Sequence, residues 1–259
     1  MHPRANAGKV RPDMNSGRRS VAIAVLVLAA LVTAGFVSGS IRTQRVESRL
    51  LEMPADQISA DETLLAFATE RGPYLFVENC SSCHGDDMRG DSTRGIPDLQ
   101  DSIWLYGDGQ ISDIENTLQY GIRSGHPKAH NITDMPAFLR IGQLSAAEIS
   151  EVVEYVLSLS KQPHDEAAAR RGSELYQNKG NCFDCHSSDA LGNPDYGAPA
   201  LTGPTWLYGG TRAALIRSVS DGRHGLCPAW IDKLSPADVR ELAVYQHQVS
   251  LGKAARPEK

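Results

Sequence analysis

Two short runs of one form, Cys-x-x-Cys-His, restrict the possible folds of this chain more than any other feature. One run is Cys80–His84 and the other is Cys182–His186, and their first cysteines are 102 positions apart. A zinc site or a redox dithiol also uses Cys-x-x-Cys, but neither needs a histidine at the next position. The runs therefore predict two covalently attached haem c groups. The predicted thioether positions are Cys80, Cys83, Cys182 and Cys185, and the predicted iron ligands are His84 and His186.

The sixth ligand of each iron must come from a loop that folds over the other face of the haem. In the first half, Met135 lies in an Asp-Met-Pro-Ala loop that is typical of small cytochromes, although a core methionine that fills a gap is the alternative. In the second half, the aligned residue is the fifth cysteine, Cys227. A thiolate there would lower the reduction potential of its haem, whereas a methionine thioether raises it. His224, or an open position with Cys227 as a small buried hydrophobe, are the alternatives.

A repeat divides the chain into two similar modules. Trp104–Gly107 and Trp206–Gly209 both spell Trp-Leu-Tyr-Gly and are separated by the same 102 positions. Met135–Phe138 likewise matches Cys227–Trp230. Each module should therefore contain a helix, the haem-attachment turn, a loop, a second helix, the ligand loop and a closing helix.

Two pairs of side chains are candidates for contacts with the porphyrins. We expect Trp104 and Trp206 to pack on the haems, where indoles exclude water, and ordinary core tryptophans are the alternative. We expect Arg123 and Arg223 to pair with haem propionates, and solvated surface arginines are the alternative. Both pairs would then bind the cofactor without ligating iron.

The N-terminal part of the chain predicts a membrane anchor. Residues 20–41 are 22 consecutive uncharged residues, and a helix of that length measures about 33 Å, enough to cross the hydrocarbon core. Five basic residues and one acidic residue precede this stretch, which keeps the N-terminus cytoplasmic and exports the remainder. A cleavable signal peptide is the alternative, because small residues occur at Ser38-Gly39-Ser40.

Capping patterns predict where the helices of the two modules begin. Ser59–Glu62 should open the first helix, and Ser145–Glu148 should open the helix that closes the first module. Pro236 suits the first turn of the last helix. No run alternates well enough to predict a strand, so the expected fold class is all-α. The predicted parts are residues 1–19 (cytoplasmic), 20–41 (anchor), 42–58 (polar stalk), 59–160 (first module), 161–165 (linker), 166–252 (second module) and 253–259 (tail).

Composition excludes one broad class of function. The 259 residues are 41% hydrophobic and 22% charged, which is enough for a sizeable core and two domains. The net charge of -5 argues against a nucleic-acid partner, which would favour a basic surface. A mildly acidic exterior suits docking to a basic protein instead.

The order of these motifs resembles the dihaem subunit III of cbb3-type cytochrome c oxidases over roughly residues 60–250. The resemblance rests on the haem motif, Trp-Leu-Tyr-Gly, Gly-Ile-Arg-Ser-Gly, Met-Pro-Ala-Phe and the closing Glu-Tyr-Val-x-Ser-Leu helix, followed by a second haem module. It implies two tandem cytochrome c-type helical domains behind an N-terminal membrane anchor, which in this chain is one predicted transmembrane helix. It also implies that His84 and Met135 ligate the first iron and that His186 ligates the second.

The resemblance further implies a place in a respiratory complex. Periplasmic haems of this family pass electrons to a monohaem subunit and on to the haem-copper centre that reduces oxygen. Two features depart from the family: its second module has a methionine where this chain has Cys227, and its N-terminal membrane portion is longer.

Three functions are therefore consistent with the sequence. The first is an electron-transfer subunit of a terminal oxidase in the inner membrane, without turnover of its own, bound to other membrane subunits and supplied by a soluble or membrane cytochrome c. The second is a free-standing anchored electron shuttle. The third is a dihaem enzyme of the peroxidase or thiosulfate-oxidising type that uses the unusual haem, although His224 is the one evident acid–base group in the second loop.

Overall fold

The computed structural model describes residues 14–131 and 133–254, with side chains from residue 24 onward. Helices account for all the regular structure of this described part, and the only β-type pairs in it are isolated bridges. The all-α prediction is therefore confirmed. The helices are α1 (Met14–Glu52), α2 (Glu62–Asn79), α3 (Ser81–His84), α4 (Ile111–Tyr120), α5 (Ala146–Leu159), α6 (Glu166–Gln177), α7 (Phe183–His186), α8 (Arg212–Asp221) and α9 (Pro236–Ser250), with a 3-10 helix at Ala55–Ala60.

Helix α1 contains the predicted anchor. Within the described residues, the stretch Ala24–Glu52 is the one helix long and apolar enough to cross a membrane, and its side chains from residue 24 to 40 are exposed. The backbone forms two compact units, one ending at Ser48 and the other starting at Arg49. The predicted cytoplasmic segment lies largely outside the described residues, as do residues 255–259 of the predicted tail.

The predicted stalk differs from the expectation. Residues 42–52 continue α1, and Ala55–Ala60 forms the 3-10 helix. Leu50 and Ile58 are fully buried in the second compact unit. Arg240 donates to the carbonyl oxygens of Leu50 and Met53, each at 3.0 Å. The end of the stalk is therefore part of the folded body, because its apolar side chains complete the core there.

The helix caps were predicted correctly at two of three positions. Ser145 and Ser235 each form a capping box with the residue three positions on, and Pro236 occupies the first turn of α9. At α2, however, Asp61 is the cap, and its Oδ1 accepts from the backbone N–H groups of Thr63 and Leu64 at 3.0 Å. The prediction of Ser59 was wrong because this serine lies inside the 3-10 helix.

The closing helix of the first module packs on the second module. Helices α5 and α6 form an antiparallel pair in which Glu148 contacts Lys179 at 2.6 Å and Glu151 contacts Arg171 at 2.5 Å. Gly172 of α6 lies directly against the backbone of Glu151. Helix α8 packs on the same α5, and Glu154 of α5 forms a bidentate ion pair with Arg212.

The closing helix of the second module packs on the first. Helix α9 contacts α2 and α4, with Gly72 of α2 against the Tyr245 side chain and Arg71 Nε 2.7 Å from Glu241 Oε2. Glu115 of α4 pairs with Arg240 of α9 at 2.7 Å. The two closing helices are thus exchanged, so residues 59–160 and 166–252 are not two separately packed modules.

The length of the connection explains the exchange. Six residues, Ser160–Asp165, join α5 to α6, and a short connection of this kind favours antiparallel packing of the two helices that it joins. Helix α5 then occupies the place beside α6, and α9 occupies the equivalent place beside α2. We call α2–α4 with the two residues after α4 (residues 62–122) the first attachment segment, and α6–α8 with the two residues after α8 (residues 166–223) the second attachment segment.

Candidate functional site

Each Cys-x-x-Cys-His run forms a single helical turn. In the first, Cys83 N donates to Cys80 O at 3.1 Å and His84 N donates to the same oxygen at 3.0 Å. The second run repeats these bonds around Cys182 O, at 3.3 and 2.9 Å. Residues three and four positions apart share one face of such a turn. The turn therefore presents two thiols and one imidazole on the same side, as covalent attachment of a haem requires.

A backbone carbonyl orients each motif histidine. His84 Nδ1 lies 3.4 Å from Pro97 O, and His186 Nδ1 lies 2.9 Å from Pro199 O. A carbonyl can only accept, so Nδ1 carries the proton and Nε2 has its lone pair available for a metal. Burial lowers the pKa of both imidazoles, although each carbonyl opposes this shift. Both rings are thus in the neutral form that ligates iron.

One continuous cavity of about 880 Å³ contains both motifs. Its walls include all the residues predicted to bind the cofactor or its iron, and the thiols in it are not disulfide-bonded. Among the described residues, no group of three or more His, Cys, Asp or Glu side chains could hold a metal ion. The donor set fits haem c. The predicted residues in the walls are Cys80, Cys83, His84, Trp104, Arg123, Met135, Cys182, Cys185, His186, Trp206, Arg223 and Cys227.

The Met135 loop lies against the second attachment segment. Met135 and Arg223 exchange backbone hydrogen bonds of 3.2 and 3.1 Å, and Phe138 N donates to Val219 O at 3.1 Å. Met135 packs on a buried cluster that includes Phe138, Val219 and α5 residues. We expected Met135 to ligate the iron of the first motif, in its own module. These contacts do not favour that expectation, because they place the loop beside the second attachment segment.

The Cys227 loop lies against the first attachment segment. Cys227 and Ile122 exchange backbone hydrogen bonds of 3.0 and 2.9 Å, and Trp230 N donates to Leu118 O at 3.0 Å. Burial raises the pKa of Cys80 to about 12, and the neighbouring thiols of Cys227 and Cys83 add to this rise. Cys227 is thus close to the first motif, although the repeat assigned it to the second.

The alternative ligand His224 points elsewhere. Its side chain is 60% exposed, and its Nδ1 lies 2.9 Å from Asp134 Oδ1. It is not among the residues that form the cavity walls. Of the two candidates in this loop, the geometry favours Cys227.

The two arginines contact the ligand loops. Arg123 donates to the Asp134 carboxylate, to Thr133 O at 3.1 Å and to Gly225 O at 2.8 Å. It therefore joins the Met135 loop to the Cys227 loop, a role that the sequence did not indicate. Arg223 donates to Ser218 Oγ at 3.0 Å and lies 4.3 Å from the Tyr208 ring centre. Pairing of either arginine with propionates stays a prediction.

Two tyrosines beside the predicted tryptophans were missed. Tyr106 packs against Gly197, and Tyr208 packs against Gly95, so each ring crosses to the opposite attachment segment. Their signal was present in the repeated Trp-Leu-Tyr-Gly run, in which only the tryptophan was selected. Trp104 and Trp206 line the cavity, and their contact with porphyrin stays a prediction.

Comparison with known proteins shows which family the chain belongs to. The profile of the cytochrome c family matches residues 69–160, and the profile of cbb3-type cytochrome c oxidase subunit III matches residues 167–245. The chain is 42% identical over 200 residues to the cbb3-type cytochrome c oxidase subunit FixP of Bradyrhizobium sp. (strain ORS 278), covering 76% of this chain and 66% of that protein.

Two further relatives are subunits named CcoP. The protein from Cereibacter sphaeroides is 40% identical over 207 residues, covering 80% of this chain and 70% of the relative. The protein from Azospirillum brasilense is 41% identical over 204 residues, covering 76% and 68%. The match thus spans about two thirds of the length of these relatives. The chain belongs to the cbb3-type cytochrome c oxidase subunit III family, whose members are membrane-anchored cytochromes c that transfer electrons.

Proposed function

We propose that this chain binds two haem c groups and carries electrons between a cytochrome c donor and the other subunits of a terminal oxidase. One observation carries the proposal: both Cys-x-x-Cys-His turns open into one continuous cavity, each with a neutral histidine whose Nε2 is available. Adjacent haems in a shared cavity can exchange electrons without a diffusing carrier. When bound, haem c supplies an iron that takes up and releases one electron at a time.

The residues of the chain have separate tasks at this site. The thiols of Cys80, Cys83, Cys182 and Cys185 would form the thioethers. Pro97 O and Pro199 O hold the two imidazoles in orientation, which also strengthens them as donors. The buried side chains around the cavity exclude water. They therefore lower the reorganisation energy that accompanies a change in the charge of the iron. Such an environment favours electron transfer over chemistry on a substrate.

The anchor sets where these electrons move. Basic residues precede the apolar stretch, so we infer a single-pass orientation in the inner membrane with both haem sites on the periplasmic side. The relatives are oxidase subunits by name, which supports association with other membrane subunits. Protease treatment of spheroplasts should digest the haem-bearing part, and protection of that part would contradict the orientation.

The haem content is tested by comparing the full chain with two paired variants. We expect two haems per chain by alkaline pyridine haemochrome, and one haem each for Cys80→Ser/Cys83→Ser and Cys182→Ser/Cys185→Ser. Co-purification of the full chain with a haem-copper subunit from detergent-solubilised membranes would support the oxidase role. Purification of the intact chain alone, with full electron transfer to a separate oxidase, would favour the free-standing shuttle.

The Cys227 thiol in the cavity wall favours one competing function. A haem with an unusual or displaceable ligand is a feature of some dihaem enzymes, such as peroxidases and thiosulfate-oxidising cytochromes. Turnover with peroxide or thiosulfate by the purified chain would favour this alternative. Electron transfer without such turnover is the expected result.

A further inference from the structure

We infer that the two iron sites have exchanged and chemically different axial ligands. Cys227 completes the site of the first motif, which holds His84. Met135 completes the site of the second motif, which holds His186. This inference rests on the proposed function, because it presupposes that both motifs bind haem.

Backbone pairing fixes the Cys227 loop on the first attachment segment. The two hydrogen bonds between Cys227 and Ile122 measure 3.0 and 2.9 Å. Gly121 allows this close approach, since a Cβ there would lie only 2.8 Å from Ala229 N. The loop continues into Trp230, whose N–H bonds to α4 at Leu118 O. This pairing therefore holds Cys227 at the end of the first attachment segment.

The Met135 loop has the same geometry on the second attachment segment. Its partner is Arg223, and Gly222 takes the place of Gly121, with a Cβ position 2.8 Å from Ala137 N. Phe138 is buried against Val219 of α8. Both loops thus follow one pattern, and each pairs with the attachment segment of the opposite module.

The closing helices hold these loops in the exchanged position. Each loop leads into α5 or α9 within about ten residues, and those helices pack on α6 and α2 respectively. A return to ligation within one module would require both helices to leave their partners. The salt bridges Arg171–Glu151 and Arg71–Glu241 and the close glycine contacts oppose that change.

The exchange reverses the expected order of the reduction potentials. A thiolate donates electron density to iron and lowers its potential, whereas a thioether raises it. The site of His84 and Cys227 should therefore be the low-potential one, and the site of His186 and Met135 the high-potential one. With ligation inside each module, the order along the chain would be the opposite. Electrons should consequently pass from the first motif towards the second.

The test uses the full-length chain with its haems attached, in detergent. Magnetic circular dichroism and EPR of the oxidised parent should show one histidine–thiolate haem and one histidine–methionine haem. The Cys182→Ser/Cys185→Ser variant should keep the thiolate signature and lose the methionine signature. The Cys80→Ser/Cys83→Ser variant should show the reverse. In a redox titration, Cys227→Met should raise the lower of two potentials and leave the upper one in place.

A second pair of variants keeps both thioether sets, in case a single-haem chain does not fold. His84→Met should alter the thiolate signature, and the matched His186→Met should leave that signature intact. A thiolate signature that follows His186 instead would overturn the exchange, and the absence of any thiolate signature in a chain with two haems would overturn ligation by Cys227. Fewer than two haems per parent chain would instead count against the proposed function itself.

Discussion

The Tyr245 side chain lies on the α-carbon of Gly72, so closely that a methyl group at position 72 would overlap the Cβ of Tyr245 and lie 3.0 Å from its Cδ1. This contact joins α2 of the first module to α9 of the second. Gly172 has the same place on α6, against Glu151 and Tyr155 of α5. Glycine is therefore required at both crossings because the helices approach each other at backbone distance.

Substitution of Gly72 should consequently destabilise the protein. Alanine gains about 1 kcal/mol of helix propensity, but overpacking at a rigid contact costs about 3 kcal/mol, so Gly72→Ala should lose roughly 2 kcal/mol. The urea midpoint of the haem-loaded chain in detergent measures this loss. Gly203→Ala is the control, since a Cβ there meets nothing within 4 Å, and equal effects of the two substitutions would contradict the crossing.

Removal of the Arg212 guanidinium should destabilise the protein, because its partner Glu154 is buried. Glu154 is only 7% exposed and accepts from Arg212 at 2.6 and 2.9 Å and from Asp165 N at 2.8 Å. Arg212→Ala removes the guanidinium that pairs with this carboxylate, so we expect a lower unfolding midpoint, by less than for a fully buried pair because Arg212 is half-exposed.

A double-mutant cycle separates the ion pair from other effects of the substitution. Glu154→Gln should recover part of the stability lost in Arg212→Ala, because the neutral amide still accepts from Asp165 N. Arg217→Ala, at an exposed position of the same helix, is the matched control and should change stability little. Independent, additive effects of the two substitutions would show that the pair is not coupled.

The stability of the α5–α6 pair should depend on acid through Glu148. Hydrogen bonds from Lys179 and from Ser145 lower the pKa of Glu148 from 4.5 to about 2. A lowered pKa means that the folded state favours the ionised carboxylate, so its contribution is complete above about pH 4.5 and is lost as the pH falls towards 2. Glu148→Gln should flatten this part of the stability profile.

Screening by salt provides the check on this interpretation. The Glu148–Lys179 pair is partly exposed, so 1 M salt should reduce the difference between the parent and Glu148→Gln. Lys179→Met should reproduce part of the flattening while the Ser145 cap remains. Identical acid profiles for the parent and both variants would contradict the assigned pKa.

The tyrosine contacts between the attachment segments should be sensitive to a methyl group at position 95. Gly95 has a positive φ of 72° and packs against the Tyr208 ring. Gly95→Ala therefore combines backbone strain of about 1 kcal/mol with displacement of the ring from the cavity wall. We expect a lower unfolding midpoint and altered haem absorption bands.

Gly125→Ala separates these two effects. Gly125 has a similar φ of 85°, but a Cβ there meets nothing within 4 Å. This variant should show the strain alone and normal haem bands. If Gly95→Ala and Gly125→Ala behaved alike, the contact between Tyr208 and Gly95 would have no part in shaping the cavity.

The local features of this protein were determined by the sequence alone. Attachment by Cys80, Cys83 and His84 depends on one helical turn, and a capping box such as Ser145–Glu148 depends on four consecutive residues. Interactions of this range depend mainly on neighbouring residues, although Ser59–Glu62 has the same capping pattern and is overridden by the 3-10 helix that contains Ser59. The family, the two haem motifs and the all-α class could therefore be inferred from the printed residues.

Only the tertiary structure decided which helix packs on which. The repeat supplies the same contacts twice, because Arg71–Glu241 with Gly72 on one side corresponds to Arg171–Glu151 with Gly172 on the other. Either closing helix has the side chains to fit either attachment segment, so the pattern alone is equally compatible with both arrangements. The short connection between α5 and α6 favours the exchange, and packing of the whole chain then places Cys227 beside the first motif and Met135 beside the second.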